Sequence, residues 1–352
     1  MKSVVNTAGP TATIVDIPVP EPNDDQVLIK VVVSGSNPKD WKAPDWIASG
    51  NIFHPLLETI KGPINQGDDI AGVVEKVGSN VVEFKPGDRV AAFHEMLTPG
   101  GSYAEYALAW SHTTFHLPAH VSFEEAATIP LAAMTAAVSL YANHRLPYPW
   151  LPATEPTPLV IYGASAAVGS FAIKLARNSN IHPIIAIAGK GAAYVETLLD
   201  RTKGDAVIDY RNGVEATVRA IKASLEKAGH AAAHHAIDAA IVPESADVLR
   251  QSIAAGGLID FVLPNDFDVA PAKKTITAVG SVHNQVQCDH HAELGYIFAR
   301  YLTRALQDKS LRGHPSQIRQ GGLAGVEDAL KDLKAGRVSA SKYIFRIADT
   351  PA

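Results

Sequence analysis

The alternation of short apolar runs with helical segments after residue 158 limits the fold of this chain more than any other feature. The apolar runs read LVIYG, HPIIAIAG, DAVIDY and GGLIDFVLP, and segments with helical spacing separate them. Neighbouring parallel strands need a long crossover between them, and a helix fills that crossover. The pattern therefore predicts a doubly wound parallel sheet with a helix after most strands.

The first apolar run ends in IYGASAAVG, a small-residue turn at residues 161–169 that leads into a helix. A turn of this kind aims backbone amides and a helix N-terminus at one point, which suits a pyrophosphate. Of the three glycines in the usual dinucleotide motif only Gly169 is present, since Ala164 and Ala166 fill the other two positions. The turn alone fits an ordinary α/β connection equally well.

The end of the second run, HPIIAIAG, indicates which cofactor the turn would serve. This run ends in Gly189 and Lys190, and the next acid is Glu196. An acid at this place accepts hydrogen bonds from the ribose of NAD, whereas a lysine attracts the 2′-phosphate of NADP. We therefore predict NADPH as the cofactor, with a solvated lysine at a helix start as the alternative for Lys190.

Residues 1–122 have a different pattern, rich in β-branched residues and interrupted by proline and glycine. The segments QVLIKVVVSG, IAGVVEKVG, DRVAAF and SYAEYALA all predict strands. This part is typical of an irregular β barrel with few helices. Helical spacing begins near residue 122 with SFEEAATIPLAAMTAAVSLYANH.

Composition excludes several classes of function. The 31 basic and 36 acidic residues form no basic block, so nucleic acid is not an expected partner. The single cysteine, Cys288, excludes an internal disulfide framework and a zinc site built on several thiolates, as in a reducing cytosol. No export signal is visible, and the apolar run at residues 159–176 changes from strand to helix periodicity, so we expect a cytoplasmic protein outside the membrane.

A family resemblance rests on GDDIAGVVEKVG followed by KPGDRV, together with QVLIKVVVSGSNPKDWK and GGSYAEY. Over nearly its whole length the chain resembles the medium-chain dehydrogenase/reductase superfamily. It is most similar to the zinc-less quinone oxidoreductases and enoyl reductases, above all the fungal trans-acting enoyl reductases of polyketide synthesis. The resemblance implies an α/β protein with a GroES-like β-barrel catalytic domain (residues 1–122, rejoined by 289–352) plus a Rossmann doubly wound parallel sheet that binds NADPH (residues 123–288).

The resemblance also implies a set of cofactor contacts. In the relatives, the turn after the first sheet strand, the lysine after the second and a tyrosine in an I-D-Y-R element contact NADPH. SASKYIF, near the C-terminus, resembles a segment that returns to the cofactor. The matching positions are Ser165, Ala166, Ala167, Val168, Gly189, Lys190, Tyr210, Ser339 and Lys342.

Zinc enzymes of the same superfamily place a cysteine after the strand that here reads VVVSG, and a G-H-E motif further along. This chain has Ser36 and Asn37 at the first place and GDD, residues 67–69, at the second. A catalytic zinc needs three converging ligands, and Asp68 and Asp69 alone do not supply them. We therefore expect no metal.

Three histidines offer another apparent ligand set. His112, His116 and His120 are spaced for one face of a helix. Pro118 and two adjacent threonines instead predict a strand and loop, in which the three side chains diverge.

Without a Lewis acid, the expected reaction is reduction of a carbon–carbon double bond conjugated to a carbonyl. Hydride adds at the β carbon, and the developing enolate oxygen needs only hydrogen-bond donors. NPKDWK offers the amide of Asn37 and the ammonium groups of Lys39 and Lys42. In the enoyl reductases that this chain resembles, a lysine and a threonine matching Lys42 and Thr135 lie beside the nicotinamide. We predict Asn37, Lys42 and Thr135 as catalytic, with a surface lysine and a helix hydroxyl bonded to its own backbone as the alternatives.

Apolar walls suit an enone, an enoyl thioester or a quinone, and we predict Trp41, Trp46, Phe53 and His54 as pocket residues. Core packing is the alternative for the two tryptophans. Residues 41–67 contain no tyrosine, so water or another group would protonate the α carbon. The expected partners are a small hydrophobic unsaturated carbonyl compound or quinone and, as a candidate, a polyketide synthase.

Three alternatives stay open. The oligomeric state is open, and the chain is either a monomer or a homodimer. Two other functions are also open: a zinc-type alcohol dehydrogenase, and an NADPH-binding partner protein of a polyketide synthase with little activity on free small molecules.

Overall fold

The described part of the chain divides into two compact units. The computed structural model describes residues 1–51, 57–58, 60, 62–285 and 290–352. One unit comprises Met1–Leu131 together with Gly280–Ala352, and the other comprises Ala132–Val279. The domain limits that the sequence predicts, after residues 122 and 288, fall near these two transitions and stay predictions.

The first unit begins with a strand-rich segment. Its elements are β1 (Lys2–Thr7), β2 (Thr11–Asp16), β3 (Gln26–Gly35), α1 (Lys39–Ser49), β4 (Asp69–Val77), β5 (Arg89–Phe93), β6 (Tyr106–Trp110), β7 (Thr114–His116) and α2 (Phe123–Ala126). β1 and β2 form a two-stranded antiparallel sheet, whereas β3 pairs antiparallel with both β4 and β6. The prediction that this part of the chain is built mainly of strands is confirmed.

β6 begins later than the sequence indicates, and this difference shapes the site described below. SYAEYALA predicts a strand over residues 102–109, but β6 starts at Tyr106. The backbone N–H groups of Ser102 and Tyr103 donate instead to the carbonyls of Gly67 and Gln66, at 2.7 and 3.1 Å. These bonds hold the 66–67 segment against the strand-rich unit.

The second unit contains one parallel sheet. Its elements are α3 (Pro130–Ala137), which begins at the transition, β8 (Leu159–Tyr162), α4 (Ala167–Asn178), β9 (Ile184–Ala188), α5 (Ala192–Glu196), β10 (Ala206–Asp209), α6 (Val214–Lys227), β11 (Ala233–Asp238), α7 (Pro243–Ser252), β12 (Ile253–Phe261) and β13 (Lys273–Ile276). The strand order is β10-β9-β8-β11-β12-β13, and all pairs are parallel. This confirms the predicted doubly wound sheet, whose order reverses between β8 and β11.

The helical segment that precedes β8 is divided rather than continuous. α2 ends at Ala126 and α3 begins at Pro130, because proline lacks the N–H group that a helix interior requires but suits a first turn. By length and composition the run Phe123–Asn143 could cross a membrane, with 21 residues and a mean hydropathy of 1.2. Within its most apolar window, 89% is buried inside the protein, as in the core helix of a folded domain.

The chain then returns to the first unit through α8 (Ala292–Gln307), β14 (Ser316–Ile318), α9 (Val326–Lys334) and β15 (Lys342–Arg346). β15 pairs antiparallel with β3, with Ile344 opposite Gly35. The strand order β14-β15-β3-β4-β5-β7 therefore joins the last residues of the chain to the first sheet.

A buried histidine contacts a half-buried one in the second unit. His144 Nε2 donates to the carbonyl of Ala236 at 3.1 Å, and His144 Nδ1 lies 3.1 Å from Nδ1 of His235 on β11. His144 is 6% exposed. Burial and the nearby His235 lower the pKa of His144 from 6.5 to about 3, so His144 is neutral in the folded protein.

We expect the His144 pair to make the protein less stable in mild acid. Below pH 6.5 the unfolded chain binds a proton at His144 that the folded chain does not bind, so the free energy of unfolding falls as pH falls towards 3. Through this group alone it should be about 1.4 kcal/mol smaller at pH 5.5 than at pH 7.5. Urea unfolding of the wild type and of His144→Gln at both pH values measures this difference. His230→Gln is the control, and an unchanged pH dependence in His144→Gln would contradict the assignment.

Candidate functional site

A cluster of charged side chains is buried in the first unit, where α1 begins. Lys39 Nζ forms an ion pair with Asp68, lies 3.3 Å from Asp40 Oδ1 and donates to Gln66 Oε1. An ammonium group has three donors, and here three acceptors surround it. Burial alone would lower the pKa of Lys39, but the charges of Asp68 and Asp40 outweigh this effect and raise it.

Asp68 connects Lys39 to a buried histidine. His94 Nδ1 lies 3.0 Å from Asp68 Oδ1, and His94 is 2% exposed. Burial would raise the pKa of Asp68, but Lys39 and His94 together hold it below its usual value. Asp68 is therefore an anion stabilised from two sides.

Asp40 links the same lysine to a buried tyrosine. The Tyr103 hydroxyl donates to Asp40 Oδ2 at 2.7 Å, and the backbone N–H of Asn37 donates to the same oxygen at 2.7 Å. Burial raises the pKa of Asp40, and Lys39 offsets this only in part. Burial, followed by the charge of Asp40, raises the pKa of Tyr103 well above its usual value, so the phenol stays a hydrogen-bond donor.

A second buried group brings together two of the predicted site residues, Asn37 and Lys342. Asn37 Nδ2 donates to Asp69 Oδ2 at 2.7 Å, and Asn37 Oδ1 accepts from Lys342 Nζ at 3.1 Å. Lys342 also forms an ion pair with Asp69, whose other oxygen accepts from the backbone N–H of Leu131 at 2.7 Å. Both polar atoms of the Asn37 side chain are thus engaged within the first unit. The catalytic role of Asn37 and the cofactor contact of Lys342 stay predictions.

The residues at the zinc-ligand positions of related enzymes do not fit a zinc ion. The Ser36 hydroxyl donates to the carbonyl of Tyr343 at 2.9 Å, and the Lys39 ammonium lies against Asp68. Among the described residues, no group of three or more histidine, cysteine or acidic side chains is arranged to hold a metal. A lysine cation neutralises Asp68 in this chain.

The three evenly spaced histidines have separate environments. The Nε2 atoms of His112, His116 and His120 lie 2.8–3.1 Å from the carbonyls of Val282, Glu83 and Leu306 respectively. The segment is a short 3-10 turn followed by β7. The prediction that these side chains diverge is confirmed.

The pKa of Lys42 differs from that of Lys39, because burial lowers it and no carboxylate among the described residues offsets this effect. The Nζ atom lies 5.6 Å from the centroid of the Trp41 ring. The structure therefore places a partly buried cation on α1, and its ammonium has no hydrogen-bond partner among the described residues.

The predicted pocket residues have different positions. Trp41 packs against the core of the first unit, as the alternative interpretation proposed, and Trp46 is half-buried on the same helix. Phe53 and His54 lie outside the described residues. Ser339, predicted to contact the cofactor, is exposed, and Thr135 is 4% exposed on α3 of the second unit.

In the second unit, the turn after β8 has the geometry of a dinucleotide turn. A Cβ atom on Gly169 would lie 2.4 Å from the carbonyl oxygen of Gly163, so only glycine permits this approach of α4 to β8. Residues 165–168 are partly exposed, and the first-turn amides of α4 have no partners within the helix. The backbone at Ser165, Ala166, Ala167 and Val168 therefore fits an anionic group.

Three predicted cofactor residues lie together at the carboxyl ends of β9 and β10. A Cβ atom on Gly189 would lie 2.8 Å from Cε1 of Tyr210, so the missing side chain makes room for the Tyr210 ring. That ring is 44% exposed and lies 5.8 Å from the ring of Tyr162. Lys190, the next residue, is exposed. A flat aromatic face and a cation thus lie at one edge of the sheet.

Several residues of the buried cluster were not predicted. His94 lies in no motif, and its partner Asp68 is 26 residues away, whereas the Tyr103 partner of Asp40 is 63 residues away. The N-P-K-D element carried a signal, because an acid in the first turn of a helix directly after a lysine is well placed for a buried pair.

Comparisons with known proteins agree with this architecture. Residues 23–119 match the model of the alcohol dehydrogenase GroES-like domain. The chain is 44% identical over 331 residues to a trans-enoyl reductase of Gibberella fujikuroi, and the match covers 92% of each chain. It is 29% identical to a trans-enoyl reductase of Aspergillus sclerotiorum, over 99% of this chain and 100% of that one.

Solved structures share the fold at low sequence identity. An alcohol dehydrogenase superfamily protein from Novosphingobium aromaticivorans aligns with a TM-score of 0.79 at 21% identity, over 98% of this chain and 99% of that one. A quinone oxidoreductase of Pseudomonas syringae aligns with a TM-score of 0.73 at 22% identity, over 98% and 100%. The predicted fold class, a GroES-like domain plus a Rossmann-type parallel sheet, is confirmed.

Lys39→Met should destabilise the protein strongly, because it leaves the carboxylates of Asp68 and Asp40 buried without their cation. Breaking a buried ion pair from one side costs about 3–5 kcal/mol. Lys42→Met on the same helix removes no ion pair and should cost less than about 1 kcal/mol. Chemical denaturation of both variants measures the difference, and equal losses would show that Lys39 does not stabilise the cluster.

Proposed function

Because this chain belongs to the medium-chain dehydrogenase/reductase superfamily and is an oxidoreductase of that kind, we propose that it is an NADPH-dependent, metal-independent reductase of activated carbon–carbon double bonds. The observation that carries the choice of cofactor is the end of β9, where Lys190 is exposed and no acid follows before Glu196. An acid there would repel the 2′-phosphate that distinguishes NADPH from NADH, whereas a lysine attracts it.

The residues at the sheet edge fit the cofactor. The backbone amides at residues 165–168 would bind the pyrophosphate, the Tyr210 ring would pack against the adenosine portion, and Lys190 would bind the 2′-phosphate. Gly189 allows the Tyr210 ring to take its position. When bound, the reduced nicotinamide supplies the hydride.

The proposal of metal independence is supported by the lysine cation that pairs with Asp68, one of the residues compared above with zinc ligands. Lys39 forms ion pairs with Asp68 and Asp40 and donates a hydrogen bond to Gln66. A hydrogen-bond donor other than Lys39 would therefore polarise the substrate carbonyl. Lys42 suits this role, because its ammonium is partly buried and no carboxylate in the described residues competes for it.

The reaction balances with these groups. The β carbon would take hydride from the reduced nicotinamide, which becomes NADP⁺, and the electron pair of the double bond would move onto the carbonyl oxygen as an enolate. Lys42 Nζ would donate a hydrogen bond to that oxygen as its negative charge develops. The enolate would then take a proton from water at the α carbon, which restores the carbonyl, and the hydroxide would be neutralised by solvent.

An enoyl thioester is the substrate class that the comparisons favour. Two relatives, including the one at 44% identity, are named trans-enoyl reductases. We therefore place enoyl thioesters before free enones and quinones, and a polyketide synthase that carries the acyl chain is the proposed partner.

The purified protein should oxidise NADPH, and not NADH, in the presence of enoyl thioesters or enones. Loss of the cofactor absorbance measures the rate, and metal analysis of the same sample should find no stoichiometric zinc. Equal use of NADH would contradict the choice of cofactor. Zinc at one equivalent, together with inactivation by a chelator, would identify a zinc-type alcohol dehydrogenase instead.

Lys190→Gln should raise the KM for NADPH about tenfold and leave the KM for NADH unchanged, because it removes a charge-assisted bond to the 2′-phosphate. Lys222→Gln, on the exposed surface of α6, is the matched control. Equal effects of Lys190→Gln on the two cofactors would remove its assigned role.

Lys42→Gln should lower kcat about a hundredfold with little change in the KM for NADPH, because it removes the donor to the developing oxyanion. In the wild type, burial lowers the pKa of Lys42 below its usual value of 10.5. As the pH rises, Lys42 should therefore lose its proton, and the enzyme its activity, at a pH below 10.5. Lys42→Arg should move that limb of the pH profile upwards. A Lys42→Gln variant that loses only NADPH affinity would show that Lys42 binds phosphate.

A further inference from the structure

A second cation, Arg211, follows the strand that is the neighbour of the strand before Lys190. β9 and β10 are neighbours, and Ala188 is opposite Asp209 in their parallel register. Lys190 and Arg211 each come two residues after these partners. The approach of Tyr210 to Gly189 shows that the two chains stay adjacent beyond the last paired residues.

The Arg211 guanidinium is held from one side only. Its Nε atom lies 2.9 and 3.1 Å from the two carboxylate oxygens of Asp209, and one Nη2 hydrogen is directed at Oδ2. Asp209 also accepts from the backbone N–H of Arg211 at 3.0 Å. A guanidinium has five N–H donors, so those on Nη1 and one on Nη2 stay available in the described structure. Arg211 is exposed, and these donors face no protein acceptor in the described residues.

Asp209 differs in its position from the acid that binds the ribose in an NAD site. Asp209 ends β10, whereas the acid that binds a ribose follows the second strand of the sheet, which here is β9. The Asp209 carboxylate is occupied by Arg211, and the side chain of Arg211, followed by its backbone N–H, lowers the pKa of Asp209 to about 2. Asp209 therefore orients a cation.

We propose that Arg211 is a second specificity-determining residue for the 2′-phosphate of NADPH, and that Asp209 positions its guanidinium for this contact. The inference rests on the proposed function, since it assumes a preference for NADPH. Lys190 supplies a point charge, and Arg211 supplies a planar fork that matches two phosphate oxygens. Together they leave the edge with one net positive charge after Asp209 is counted.

Binding of adenosine 2′,5′-bisphosphate and of 5′-AMP separates this contact from the rest of the cofactor, because the two molecules differ only in the 2′-phosphate. Isothermal titration calorimetry of the wild type, Arg211→Gln and Arg219→Gln gives the dissociation constants without any turnover. Arg219 is a matched control, since it is an exposed arginine of the same unit that pairs with Glu215. Arg211→Gln should weaken binding of the bisphosphate about tenfold and leave 5′-AMP unchanged, because one charge-assisted contact is lost.

The outcomes distinguish this inference from the proposed function. If the wild type binds the bisphosphate no better than 5′-AMP, the preference for NADPH itself is wrong. If the wild type prefers the bisphosphate and Arg211→Gln binds it as tightly as the wild type does, only the role of Arg211 is overturned. Equal weakening of both ligands would also overturn it, because the side chain would then act on the adenosine portion. A thermal melt of Arg211→Gln should match that of the wild type, since the side chain is exposed.

Discussion

The buried ammonium of Lys39 is the interaction on which the arrangement of the first unit depends. Charged groups are costly to remove from water, and they stay buried only when they are paired and hydrogen-bonded. Lys39 meets this requirement for Asp68 and Asp40, which in turn hold His94 and Tyr103. Four segments distant in sequence are therefore joined through one cation. The same cation neutralises Asp68, which lies at a position compared above with the zinc ligands of other enzymes.

Charge is arranged differently at the edge of the parallel sheet. There the cations Lys190 and Arg211 are exposed, and they follow two neighbouring strands that end at the same edge. Exposed charges contribute little to stability, because water and salt screen them. Under the proposed function they serve recognition, since a doubly charged phosphate would contact both of them. Buried ion pairs stabilise the first unit, whereas the exposed cations of the second unit are proposed contacts of the cofactor.

The sequence was a good guide wherever local patterns decide structure. Alternating apolar runs and helical segments predicted the parallel sheet, and the spacing around Gly169 predicted the turn between β8 and α4. Side-chain partners were harder to predict. Lys39 and Lys42 lie three residues apart on one helix and look alike in sequence. Lys39 nevertheless forms ion pairs with two carboxylates, whereas Lys42 forms none with the described residues. That difference depends on Asp68, which another segment brings to the helix.

The sequence by itself determined the order of the elements, the parallel sheet and the absence of an acid after the second strand, because each depends on neighbouring residues and their periodicity. Only the tertiary structure decided which charges neutralise one another. The pairing of Asp68 with Lys39 arises from a contact between segments far apart in the chain, and the pairing of β9 with β10 brings the segments that carry Lys190 and Arg211 to the same end of the sheet. Such contacts leave no periodic trace in the sequence, since each requires only one residue of the right charge at one position.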